Sequence, residues 1–167
     1  MEGKVKLLGH SIHPILIVFP LGLLATAVIF DVIYLIWGNP VFETVTYWMT
    51  AAGLLGGLLA APFGWIDWFG IPAGTRAKSI GLTHGIVNSV ALVLFAASWY
   101  FRLDNPTRPA MAAHVLAILG ALFALAGGWL GGELVERLGI SVHSGANANA
   151  PSSLRTNIPG ARPTAEP

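Results

Sequence analysis

The sequence contains no cysteine. Within these 167 residues that excludes disulfides, thiolate metal sites, iron–sulfur ligation and covalently attached c-type haem. Charge is scarce too. Asp, Glu, Lys and Arg make up 10% of the chain, where a soluble domain carries about a quarter. The net charge is only +1, without the dense basic patch that nucleic acid requires, so no nucleic-acid partner is expected. No GxSxG, phosphate-binding glycine loop or HExxH occurs, and no residues have the local spacing of a zinc site. A catalytic site and a metal site are therefore not expected.

What is abundant is apolar: 54% of the residues. They fall into four continuous runs, at about 14–37, 44–69, 80–101 and 110–132. A helix needs about 20 residues to cross a hydrocarbon core. Continuous rather than alternating runs argue against barrel strands. In lipid each run must also satisfy its own backbone, which favours helix. The expected fold is all-α integral membrane: a four-transmembrane-helix bundle with short loops and a disordered C-terminal tail. The expected organisation is an interfacial segment (1–12), a membrane domain (13–140) and the tail (141–167). The tail is small, polar and proline-rich, with too little apolar surface to order itself.

Punctuation supports the boundaries. Gly38-Asn39-Pro40, Gly70 to Gly74, and Asp104 to Pro109 separate the runs. Pro14 suits a first helical turn. Pro20 lies inside the first run and removes the donor that Leu16 would use, which predicts a kink. Ala25-Thr26-Ala27 has the form of a cleavage site, but the apolar run continues past it to Trp37, so a retained span is expected.

Four spans put Lys4, Lys6, Arg76, Lys78, Arg137, Arg155 and Arg162 on one side, with only Arg102 and Arg108 on the other. The positive-inside rule then predicts an inner-membrane protein with both termini cytoplasmic. Tyr34, Trp37, Tyr47, Trp48, Trp99 and Tyr100 mark the outer interface; Trp65, Trp68 and Trp129 mark the inner one. Gly53 and Gly57 on the second span, and Gly127, Gly128, Gly131 and Gly132 on the fourth, permit close helix packing. That packing serves either the bundle itself or a homo-oligomer.

Polar residues within spans are costly and therefore functional candidates. On the inner side His13, Asp67, His84 and Glu133 share a depth, with Asn88 one turn beyond His84. On the outer side Asp31 and His114 are placed to pair. His10 lies ahead of the span, as an interfacial residue. For His13 and His84 two readings stand: interhelical hydrogen bonding, or axial ligation of b-type haem. A proton or small-molecule path through Asp67, His84 and Glu133 is a third. A faint internal repeat relates the hairpin opening at His13 to the one opening at His84.

Four stretches resemble a bacterial family of small membrane proteins, the domain of unknown function 2231. They are HPILIVFPLGLLATAVIFD from His13, GWIDW at Gly64, GLTHGIVNSVALVLF at Gly81, and GGWLGGELVERLGISV at Gly127. The resemblance implies a four-helix integral membrane protein with no settled activity, in the company of Rieske-type and cytochrome redox domains. The resemblance also implies that many family members carry a further histidine where Val18 stands here, a position expected to lie deeper than His13 and to be better placed to face His84. The expected role is a non-catalytic membrane module or subunit in the lipid bilayer. The alternative is an electron-transfer protein holding haem b between His13 and His84 and serving redox membrane partners.

Overall fold

The computed structural model describes residues 1–154. Four of its helices are long and apolar enough to cross a membrane: Ile12–Trp37, Pro40–Phe69, Arg76–Tyr100 and Met111–Arg137. The first is divided into α1 (Ile12–Leu16) and α2 (Val18–Trp37), followed by α3 (Pro40–Phe69), α4 (Arg76–Tyr100) and α5 (Met111–Gly132). A π-helical turn, Glu133–Arg137, extends α5.

The division at Ile17 is the expected effect of Pro20. Ile17 N–H still donates to His13 O and Leu21 N–H to Ile17 O, but Pro20 has no N–H to offer Leu16. α3 and α4 begin four residues before their apolar runs do, because their first turns are capped. Asn39 accepts from Val41 N–H with Pro40 at the first position. Thr75 accepts from Lys78 N–H. Gly38 closes α2 at φ 69°, a left-handed conformation that glycine adopts freely.

α2 packs chiefly on α3, and α4 chiefly on α5, giving two hairpins set side by side. Leu24, Phe95 and Ala117 form the shared core, lined by Val28, Leu54, Leu92 and Ala121. Most other large apolar side chains face outward, Leu58, Leu125 and Trp129 among them. A surface of this kind suits lipid rather than water.

Strands β1 (Lys6–Leu7) and β2 (His10–Ser11) form a small hairpin ahead of α1, turning at Leu8 and Gly9. His10 lies there, exposed, its ring against Leu8 O. The chain before it crosses the helix ends: Met1 donates to Gly139 O, and Lys4 N–H to Asp67. The two ends of the membrane domain therefore meet at one end of the bundle, here called the terminal end. Residues 141–154 follow as turns, tied back through Ser141 N–H to Met1 O and Ser144 N–H to Glu2. The rest of the tail, 155–167, lies outside the described residues.

Candidate functional site

At the terminal end His13 and His84 stand in matching settings. His13 Nδ1 lies 3.0 Å from Ala60 O, and His84 Nδ1 lies 2.9 Å from Gly127 O. A carbonyl only accepts, so Nδ1 carries the hydrogen in each bond and Nε2 is left as the basic nitrogen. Each ring rests on a glycine. A Cβ at Gly64 would come within 2.8 Å of His13 Cε1, and one at Gly131 within 3.1 Å of His84 Cε1. The two rings face each other with centroids 6.4 Å apart and planes at 86°.

The expected inner cluster is not one constellation. Asn88 does join His84, donating to its backbone O at 2.8 Å. Asp67, however, accepts from Lys4 N–H at 2.5 Å, and Glu133 pairs with Arg76 at 2.6 Å. Each carboxylate sits at a helix end, where Lys4, ahead of β1, or Arg76, at the start of α4, supplies its donor. The Val18 position is also corrected. It is 65% exposed at the start of α2, on the outside of the bundle rather than in its interior.

Among the described residues, the far end holds a cluster of fully buried polar side chains. Arg102, just beyond α4, donates to Asp31 of α2 at 2.7 Å and to Glu43 of α3 at 2.5 Å. Glu43 also lies 2.8 Å from His114 Nε2 on α5. Ser98 of α4 donates to Ala113 O at 2.7 Å and lies 3.5 Å from Arg102. Tyr34 stacks on the His114 ring at 5.7 Å. Asp31, Glu43 and Arg102 are each 0% exposed. The expected Asp31–His114 pair is therefore indirect: Glu43 and Arg102 bridge it. Sequence reasoning passed over both bridging residues because each sits by a loop, where a charge ordinarily faces water. Asp31, Glu43 and His114 bring ligand atoms within 4.8 Å of one another. The Arg102 guanidinium already lies between the two carboxylates as their counter-cation.

Several of these partners share one spacing. Asp31 and Arg102 are 71 positions apart, as are Glu43 and His114, and His13 and His84 have the same separation. The seats of the two histidines do not keep it: Ala60 and Gly127, like Gly64 and Gly131, are 67 positions apart.

The glycines divide by role. Cβ atoms at Gly53 and Gly57 would strike Leu24 and Leu92, and one at Gly127 would strike Asn88. These glycines, with Gly131, serve packing inside the bundle. Gly128 and Gly132 have nothing within 4 Å and face outward.

Comparison with known proteins gives one match: residues 9–144 fit the model of a family described as "Predicted membrane protein (DUF2231)". No curated protein and no solved structure matches the chain.

Proposed function

The chain belongs to the DUF2231 family of predicted membrane proteins, and from that premise we propose that it is a non-catalytic four-helix module or subunit of the bacterial inner membrane. The observation that carries this reading is the far-end network. Asp31, Glu43 and His114 lie on three of the spans and Arg102 just beyond the end of the other, and they bond to one another, so the strongest polar groups join helices rather than line an open site. Both termini lie on the cytoplasmic side in this reading. Lys4, Lys6, Arg76, Lys78 and Arg137 flank the terminal end, and Arg102 is withdrawn into the bundle, leaving Arg108 as the loop cation opposite. Fusion reporters test the orientation. A reporter active only in the cytoplasm should work at the C-terminus; a periplasm-active reporter working there would reverse the topology.

A second reading rests on the matched histidines: haem b between His13 and His84, in a protein that exchanges electrons with redox membrane partners. Ligating histidines commonly hand their other ring N–H to a backbone carbonyl, and Ala60 and Gly127 supply such carbonyls. The glycine seats fix both rings with Nε2 uncommitted. Bound haem would supply one-electron chemistry; the residues would only hold and orient it. The visible spectrum of detergent-purified protein from haem-replete cells, oxidised and then dithionite-reduced, decides between the readings. A Soret band abolished by His84→Ala but kept in His114→Ala supports haem, and absence of any band leaves the packing module. The third reading, a polar path through Asp67, His84 and Glu133, is disfavoured by the separate partners of the two carboxylates.

A further inference from the structure

The four groups at the far end do not balance. Asp31 and Glu43 offer two negative charges, and Arg102 offers one permanent positive charge. With a neutral imidazole at His114 the site keeps a net charge of minus one. Asp31, Glu43 and Arg102 have no solvent exposure and His114 only 2%, in a bundle built for lipid. An uncompensated charge in such a place is strongly unfavourable, and the usual relief is uptake or release of a proton. A metal cation is a poor alternative, because Arg102 already donates to both carboxylates.

The hydrogen bonds show where a proton fits. Glu43 Oε2 and Asp31 Oδ2 are engaged by the guanidinium, and Glu43 Oε1 lies 2.8 Å from His114 Nε2, a contact in which two titratable groups share one hydrogen. Independently, Asp31 Oδ1, Arg102 Nε and His114 Nδ1 are buried without a partner. The site thus has polar capacity beyond its own pairings, and part of it belongs to the imidazole. The groups facing that imidazole are Asp31 and Tyr34 from α2 and Glu43 from α3, with Ser98 and Arg102 at the end of α4 behind the two carboxylates.

We propose that this cluster is a buried proton-binding site, neutral when one proton is held on the His114–Glu43 hydrogen bond. Proton loss takes the site from zero to minus one at the junction of all four spans. The occupant is a proton, and Asp31 is the residue whose charge retains it. This assignment stands apart from the module and haem readings, since none of its residues touches His13 or His84.

The test uses the full chain in lipid nanodiscs, with histidine labelled by ¹⁵N. The His114 signals are identified by their loss in His114→Gln. At pH 7.5 both ring nitrogens of His114 are expected to carry hydrogen in the wild type. In Asp31→Asn, where Arg102 and Glu43 balance alone, one nitrogen should be bare. A bare nitrogen in the wild type overturns the proposal, as does a His114 that stays doubly protonated in Asp31→Asn. Thermal melting gives a second readout. His114→Gln should melt well below wild type, and Asp31→Asn/His114→Gln should recover much of the loss because it restores neutrality. A double variant no more stable than His114→Gln overturns the charge argument. If His114→Gln fails to fold, the double variant supplies the assignment, and its own folding is the expected result.

Discussion

Among single residues, Arg102 has the largest predicted effect. It is fully buried and bonds two carboxylates from different helices. Arg102→Met leaves Asp31 and Glu43 buried together without a cation, and breaking a buried pair in this way costs about 3–5 kcal/mol. Detergent unfolding curves should show a loss of that size. Arg102→Lys should recover only part of it, because an ammonium cannot present the planar fork that reaches Asp31 and Glu43 at once. Position 18 gives a second prediction. Since Val18 faces lipid, Val18→His should add no haem absorbance to purified protein; a new Soret band would show that α2 rotates from its described position. At this scale little was legible beforehand. His13, His84, Asp31 and His114 stand out as polar residues in apolar runs. Glu43 and Arg102 do not, because one opens a helix and the other follows one.

The helices themselves follow from the chain's chemistry. Their apolar runs demand internal hydrogen bonding in lipid, and Asn39-Pro40, Thr75 and Gly38 fix where turns begin and end. The Pro20 break was likewise readable, since a missing N–H acts on its own helix whatever the neighbours. Which glycines serve the bundle was not readable, because i,i+4 spacing is the same on an inward and an outward face. The structure separates them, and the separation is testable. Gly53→Ala would drive a Cβ to 2.7 Å from Leu24 Cγ, and overpacking of this kind costs about 1–3 kcal/mol. Gly128→Ala meets nothing and should be neutral or slightly stabilising, as alanine outranks glycine in helices by about 1 kcal/mol. Thermal melts of the two variants should move in opposite directions or differ by that margin.

The whole molecule is two hairpins set side by side. Because each span contributes a residue to the far-end network, its loss should be felt by all of them. Hydrogen exchange in Arg102→Met is expected to rise together at the far ends of α2, α3, α4 and α5. The backbone amides around His13, Ala60, His84 and Gly127 should keep their protection at the terminal end. Faster exchange in α4 alone would mean that the network does not couple the spans. By itself the sequence determined the lipid environment, the four spans, the breaks between them and the family. Each of these follows from composition and from contacts a few residues apart. Only the tertiary structure decided that Arg102 leaves the loop for the interior, that Asp67 and Glu133 part from the histidines, and that residues 71 apart meet in pairs. A side chain's partner across a bundle depends on how helices rotate and pair, and an apolar run in lipid leaves that rotation open until packing fixes it.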